Sequence, residues 1–546
     1  MSLSETLGTV LLNAMKERGA DRIFGLPGDF VLPFFRTIAE SGILPLHTLS
    51  HEPSVGYAAD AAGRIGSSLG VAVVTYGAGA LNMVNAVAQA YAEKSPLVVI
   101  SGGPGADEGK LGLSLHHQVK TLSSQFEIFR ELTCAQCILN DLETAPIEIA
   151  RVLDTALSLS RPVYIEIPRD LVDQPCASAP AIALPAANHD AARACAKEVL
   201  DRLRSAKSPA ILVGVEARRY GLEDKIASLC RKLGVPVATS FMGRGLFADF
   251  TLPLVGPYLG SAGDTNIASA IEGADCLLML GVITCDTNFG VSGRAIDMRA
   301  SIRALDRTVV LGHHLYPDVS LEALVDALLE IAETIGVPEP QPEPVYATGL
   351  PDDETPLEPS HIAIAVNDLF NSKGSSPIAA DVGDSLFIGL EIADTALVAP
   401  GYYASMGMGV PAGLAINAVT GRRPIVLVGD GAFQMTGWEL GNCQKYGWSP
   451  IVIVLNNQSW EMLRGFQPNQ TYHDLDDWHF ADIAPSLGGR GIRVETCAEL
   501  KRALDLAVDD ESSFYLIEAM LPRSRTSMSL HKFTRAMRNL SAMKNE

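Results

Sequence analysis

The sequence predicts an α/β protein of three doubly wound domains with mainly parallel sheets, and three observations predict it. First, its 546 residues exceed what a single hydrophobic core supports. Second, short β-branched runs alternate with amphipathic helical patterns at residues 71–75, 97–101 and 163–167, then 210–215 and 276–282, then 425–428 and 451–455. Runs this apolar are buried on both faces, and intervening helices make neighbouring strands parallel. Third, two Pro-rich stretches, 176–188 and 339–359, have no apolar periodicity and read as extended linkers. The expected domains are 1–175, 190–338 and 357–546, joined by linkers 176–189 and 339–356.

Composition narrows the function classes. Apolar residues make up 47 % and charged residues 19 %, which is globular and excludes disorder. The net charge of −21 repels nucleic-acid phosphates and anionic lipid, so small metabolites are the expected partners. Nine cysteines, an odd number without paired spacing, do not form a disulfide framework. The close pair Cys134 and Cys137 lacks the second pair that a zinc site needs, so both are expected to be ordinary thiols. The N-terminus shows no basic-then-apolar pattern of a secretory signal. Two uncharged stretches, 65–92 and 395–421, are broken by Gly, Ser, Asn and Thr. They read as buried segments rather than membrane spans, and they hint at related architecture in the first and third domains. A cytoplasmic location is expected.

The third domain carries the densest chemistry. Strand 425–428 runs into Gly429-Asp430-Gly431, then a helical stretch 433–446, then strand 451–455 and Asn456-Asn457. Such a βαβ unit makes the two strands parallel and brings Asp430 and Asn457 to carboxyl strand ends, where open α/β sheets bind ligands. A carboxylate and an amide oxygen suit a hard cation such as Mg²⁺ that also holds phosphate oxygens. Gly431 is expected to let the backbone approach the phosphates, and a helix beginning near Ala432 to offer them N–H groups. The alternative is a tight turn and an unrelated Asn-Asn loop.

Together these residues resemble the GDG…NN diphosphate motif of thiamin-diphosphate enzymes. The resemblance implies that Asp430, Asn457 and the Ser459 carbonyl hold Mg²⁺, with Gly429, Gly431 and Ala432 around the diphosphate. The first domain resembles the family's pyrimidine-binding domain in Gly25-Leu26-Pro27-Gly28-Asp29, His51-Glu52-Pro53 and the run 58–63. There Glu52 would hydrogen-bond N1′ of the aminopyrimidine, so that the cofactor's own amine serves as the base. Thr75 would also touch the cofactor. In the segment 401–407, Met406 would prop the cofactor in its bent form and the Ala404 carbonyl would accept from the 4′-amine. Asp384, in Asp381-Val382-Gly383-Asp384-Ser385, would lie in a loop beside the diphosphate.

His116-His117 follows these motifs as in the 2-oxo acid decarboxylase branch, where such a pair and Asp29 relay protons. Decarboxylation leaves an enamine to be protonated and an alkoxide to be deprotonated, and groups near neutrality suit both steps. One departure is clear. Related pyruvate decarboxylases carry a catalytic Glu six residues after the second Asn, where this chain has Leu463. Glu461 lies about 200° around a helix from that place and is expected to face elsewhere. Asp286, in Thr284-Cys285-Asp286-Thr287, is the expected replacement; a cap or linker contact is the plain alternative. Leu386 and Thr287 stand where pyruvate-specific relatives place large aromatics, which leaves room for an aromatic side chain.

The resemblance spans the chain and looks closest to bacterial phenylpyruvate and indolepyruvate decarboxylases. It implies non-oxidative decarboxylation of phenylpyruvate or indole-3-pyruvate with thiamin diphosphate and Mg²⁺. Aliphatic 2-oxo acid decarboxylation, pyruvate included, carboligation and a silent cofactor-binding paralog stay open. The family shares each active site between subunits, so a homo-oligomer is implied, at least a dimer and by analogy a tetramer. Residues 523–546 would close over the site. No glycine fingerprint in the middle domain marks an adenine-nucleotide site.

Overall fold

The computed structural model describes residues 5–543 apart from 67–68, 249, 253, 290–294, 336–344 and 394. Residues 339–344 of the expected second linker therefore lie outside the described residues. Among the described residues the chain forms three sheets. The first contains β1 (Ile23–Gly25), β2 (Leu46–Thr48), β3 (Gly70–Val74), β4 (Leu97–Gly103), β5 (Ala135–Ile138) and β6 (Val163–Pro168). Its order is β2-β1-β3-β4-β6-β5, and every pairing is parallel.

The second sheet contains β7 (Pro209–Val213), β8 (Val237–Ser240), β9 (Leu254–Tyr258), β10 (Cys276–Leu280), β11 (Ile302–Leu305), β12 (Thr308–Leu311) and β13 (His314–Pro317). Its order is β13-β12-β11-β10-β7-β8-β9, parallel from β11 to β9 and antiparallel where β12 and β13 fold back. The third contains β14 (Ile378–Ala380), β15 (Leu397–Val398), β16 (Ile425–Gly429), β17 (Ile451–Asn456), β18 (Arg490–Val494) and β19 (Tyr515–Met520). It is fully parallel in the order β15-β14-β16-β17-β19-β18, the same pattern as the first sheet.

Both six-stranded sheets bury their strands completely along β3, β4, β6 and β17, as expected of sheets covered by helices on both faces. In each, the chain leaves the first strand for one neighbour and returns to the other side, which makes a switch point between β1 and β3 and between β14 and β16. Ligand sites form beyond the carboxyl ends of strands at such points.

Strand ends fall within two residues of the expected ones. The strands predicted at 210–215 and 276–282 stop early because Gly214 and Gly281 meet: a Cβ on Gly214 would sit 2.3 Å from the Gly281 carbonyl oxygen. The helix expected over 433–446 starts instead at Asp430. It is broken into helix Asp430–Thr436, a 3₁₀ stretch Gly437–Asn442 and helix Cys443–Tyr446, with two glycines weakening the middle.

Tertiary contacts gather the chain into two compact units. One comprises residues 1–185, 410–422 and 436–448; the other comprises 186–409, 423–435 and 449–546. The cysteines are free, and burial pushes Cys134 up to about 11 and Cys137 up to about 12. No helix of the described residues is long and apolar enough to cross a membrane.

Candidate active site

In the first sheet, the adjacent strands β1 and β3 deliver the loop with Asp29 and the turn with Thr75 to the switch point. Phe30 N–H donates to Thr75 Oγ1 at 3.3 Å, and Thr75 Oγ1 lies 3.5 Å from Asp29 Oδ1. The close approach requires Gly28, because a Cβ there would come 2.5 Å from Thr75 Cβ. His116 Nε2 hydrogen-bonds Asp29 Oδ2, and His117 Nε2 lies 3.7 Å from Asp29 Oδ1. Phe30 stacks on the His116 ring with centroids 4.8 Å apart. The predicted trio of Asp29, His116 and His117 is thus assembled from positions far apart in sequence. Burial raises the Asp29 carboxyl, but the hydrogen bond and charge of His116 outweigh it and hold it below its ordinary value.

Glu52 opens the helix Glu52–Gly66, half-buried. Its Oε2 accepts from Asn82 Nδ2 at 2.9 Å, and Asn82 also lies 3.1 Å from His51 Nε2. The residue before His51 is clamped by Glu439, whose Oε2 accepts from Ser50 N–H at 2.9 Å and from Asn442 Nδ2 at 2.9 Å. Motif reading assigns no role to Asn82, Glu439 or Asn442. Nothing in their local sequence points to residue 52, although Glu439 is a carboxylate only 2 % exposed and so required a partner.

In the third sheet, Asp430 follows β16 directly and Asn457 follows β17, paired strands with Gly429 opposite Leu455. Asp430 Oδ1 accepts from Gly431 N–H at 2.8 Å and Oδ2 from Ser459 N–H at 3.3 Å. Burial dominates these bonds and pushes its carboxyl up to about 6. Asn457 Oδ1 is buried with no protein partner. The Ser459 carbonyl accepts from Glu461 N–H at 2.8 Å. Gly429 faces open space, with nothing within 4 Å of an added Cβ. Gly431 does not: a Cβ there would lie 2.1 Å from Trp460 Cζ3. Its missing side chain therefore seats the indole. Ala432 is buried one residue further into the helix, which begins two residues earlier than expected.

Beyond β14, Asp381 is fully buried and gathers four backbone contacts. Its Oδ1 accepts from Val382 N–H at 2.9 Å, its Oδ2 from Gly409 N–H at 2.7 Å, and both oxygens lie 3.1 Å from Gly407 N. It thereby fixes the segment that carries Met406 and Ala404; Ala404 sits at φ +60°, which turns its peptide out of the regular path. Asp384 is engaged by Ser527, through N–H at 2.9 Å and the hydroxyl, just before the helix Met528–Met543. Burial first, then the Glu391 and Glu461 charges, push its carboxyl up to about 7.

Asp286 lies exposed in the turn after β10, its Oδ1 accepting from Thr287 N–H at 2.9 Å. Buried Asn288 ties that turn down, donating to Ile283 O at 2.7 Å and accepting from Met242 N–H at 3.0 Å. Leu463 is exposed, whereas Glu461 points inward, 6 % exposed and 3.7 Å from Arg464, with burial raising its carboxyl. Leu386 packs with Phe241, Phe387, Leu530 and Phe533 in an apolar cluster against which Met462 rests.

The donor set at β16 and β17, a carboxylate and an unpartnered buried amide oxygen beside open backbone, fits a hard cation carrying a phosphate. The Glu52 carboxylate fits a ring nitrogen; the absent Gly79 side chain keeps its Oε1 clear, 3.6 Å from where that Cβ would be.

Comparison with known proteins agrees. Residues 5–128 match the thiamine pyrophosphate enzyme N-terminal TPP binding domain, residues 196–330 its central domain, and residues 381–519 its C-terminal TPP binding domain. The chain is 56 % identical over 547 residues to indole-3-pyruvate decarboxylase of Azospirillum brasilense, covering 99 % of this chain and 100 % of that protein. It is 31 % identical over 537 residues to an alpha-keto-acid decarboxylase of Mycolicibacterium paratuberculosis and 30 % over 539 residues to one of Mycobacterium ulcerans, covering 95 % of this chain and 94 % of each. The cofactor motifs and this full-length similarity converge, and the chain belongs to the thiamine pyrophosphate enzymes, among their 2-oxo acid decarboxylases.

Proposed function

We propose that this enzyme converts an aromatic 2-oxo acid, indole-3-pyruvate or phenylpyruvate, to the corresponding aldehyde and CO₂ without net oxidation. The observation that carries the reading is the full-length similarity to indole-3-pyruvate decarboxylase. The apolar wall around Leu386, with no large aromatic at 386 or 287, supports the aromatic substrate.

Thiamin diphosphate, when bound, supplies the nucleophilic carbon and the electron sink for loss of CO₂. Asp430, Asn457 and the Ser459 carbonyl would hold Mg²⁺ and through it the diphosphate, with Gly429, Gly431, Ala432 and Asp384 around it. Glu52 would hold a proton at the ring nitrogen, and Ala404, Met406 and Thr75 would orient the ring. Asp29, hydrogen-bonded to His116 and 3.7 Å from His117, would with the two histidines, all open to water, deliver one proton to the decarboxylated carbon and remove one from the product hydroxyl. Asp286 would take the place of the carboxylate that Leu463 lacks. The expected assembly is a homo-oligomer, at least a dimer and by analogy a tetramer, in the cytoplasm, with domains at 1–175, 190–338 and 357–546.

The test is a steady-state decarboxylation assay with thiamin diphosphate and Mg²⁺, coupled to aldehyde reduction. A kcat/KM for indole-3-pyruvate or phenylpyruvate above that for pyruvate by about tenfold or more, roughly 1.4 kcal/mol, supports the reading. A preference for pyruvate overturns the aromatic assignment.

A further inference from the structure

A buried polar network holds the Gly77 turn, which lies against the His117 backbone, and the chemistry assigned so far does not use it. Gln125, in the first turn of the helix Ser124–Arg130, is 1 % exposed. Its Oε1 accepts from Gly77 N–H at 2.6 Å, and its Nε2 donates to Ser101 Oγ at 3.0 Å and to Tyr164 Oη at 2.5 Å. The Gly77 N–H can only donate, so the orientation of the Gln125 amide is fixed. Tyr164 in turn donates to Glu166 Oε2 at 2.7 Å and stacks on Phe129 with centroids 4.5 Å apart. Every arm of the amide is therefore held from β4, β6 or the Gly77 turn.

What Gln125 holds is the turn on which both proton-handling elements depend. Gly77 sits at φ +64°, and an added Cβ would come 2.1 Å from the His117 carbonyl oxygen, so the His117 backbone rests on this turn. His117 itself adopts φ +67°, a backbone state that a non-glycine residue keeps only when its surroundings impose it. Tyr76, the preceding residue, donates to Leu122 O at 2.8 Å and ties the same loop from the other side. Gly77 also begins the short helix Ala78–Asn82, whose last residue donates to Glu52.

We propose that Gln125 is a positioning residue for decarboxylation: its buried amide fixes the Gly77 turn, and through it both the seat of His117 and the reach of Asn82 to Glu52. The inference rests on the roles proposed above for His117 and Glu52. It predicts that loss of the buried hydrogen bonds of this amide affects turnover more than affinity, because misplaced proton donors act on the chemical steps.

The full-length holoenzyme is tested as Gln125→Met, which keeps the length of the side chain but removes the acceptor for Gly77 together with the donors to Ser101 and Tyr164, and as Gln125→Glu, which restores an acceptor. Kinetics are read beside thiamin diphosphate affinity, thermal midpoint and hydrogen–deuterium exchange of peptides covering 76–83 and 113–119. Gln125→Met should lower kcat about ten- to a hundredfold, leave KM and cofactor affinity within about threefold, and speed exchange in both peptides. Gln125→Glu should recover part of the kcat. Wild-type kcat in Gln125→Met, or a loss of kcat, affinity and thermal midpoint together that Gln125→Glu does not relieve, overturns the proposal. If Gln125→Met does not fold, Tyr164→Phe, which keeps the stack on Phe129, should show the same split at smaller size; wild-type kcat there overturns it. Glu52→Gln run in parallel separates the two failures. If that variant turns over normally, the underlying assignment is wrong; if it is dead while Gln125→Met is normal, only the role of Gln125 falls.

Discussion

The ends of β1 and β3 and the ends of β14, β16 and β17 are equivalent places in two sheets of one strand order, yet their ionisable groups sit in opposite surroundings. In the first, the side chains of Asp29, His116 and His117 are 40 %, 61 % and 32 % exposed and pair with each other. In the second, Asp381 and Asp430 are at most 3 % exposed and are held by backbone N–H groups. One architecture thus offers two kinds of site. On the roles proposed above, the groups that would take up and return protons keep contact with water, whereas the groups that would hold a charged ligand are kept dry, where each interaction is stronger.

The sharpest way to break this comparison is to substitute one residue on each side and ask which parameter moves. Glu52→Gln should lower kcat by about 10²- to 10⁴-fold while thiamin diphosphate still binds, as steady-state rates and calorimetric titration would show. Asp430→Asn should instead weaken the apparent affinity for Mg²⁺ and cofactor by about ten- to a hundredfold, with much of the kcat regained at saturation. If both variants lose the same parameter, the division into proton-handling and ligand-holding clusters is wrong.

The strands were legible because buried parallel strands are continuous apolar runs, and the residues after β16 and β17 were legible because a βαβ unit fixes where they emerge. The supports were not. Asn82, Gln125, Asn288 and Glu439 act through hydrogen bonds to residues up to 389 positions away, and no periodicity encodes such a partner. Gly431 shows a further limit: the space that its missing side chain leaves is taken by Trp460, which sequence alone cannot place. The inward turn of Glu461 was hidden for the same reason, since a four-residue helix is too short to carry an amphipathic pattern.

A smaller effect is expected on the dry side, at the apolar wall. Leu386 is 5 % exposed among Phe241, Phe387, Leu530 and Phe533. Leu386→Trp should crowd this cluster and reduce kcat/KM for phenylpyruvate relative to pyruvate by about tenfold, from roughly 1–3 kcal/mol of overpacking felt by the bulkier substrate. An unchanged ratio in a stably folded variant would remove Leu386 from the substrate pocket.

The smallest expected effect concerns the stability of the cofactor-free protein. Burial pushes the Asp381 carboxyl up to about 6 and the Asp384 carboxyl up to about 7, whereas both ionise near 3.9 in an unfolded chain. Below about pH 4 both states carry the protonated acids, and the contribution of these residues to folding is fully present. As the pH rises toward 6 and 7, the unfolded chain is already ionised while the folded chain must charge two sheltered carboxyls, so stability is lost across that window. Melting followed by circular dichroism should therefore give a midpoint a few degrees lower at pH 8 than at pH 5. Asp381→Asn separates this linkage from a general pH effect. The amide leaves either the Val382 or the Gly409 N–H facing a donor and lowers the midpoint at every pH, but it removes one titrating group and should flatten the slope between pH 5 and 8. A variant with the full wild-type slope would mean that Asp381 is already ionised when folded, its backbone donors outweighing burial, and the dry side would then differ from the wet side less than their exposures imply.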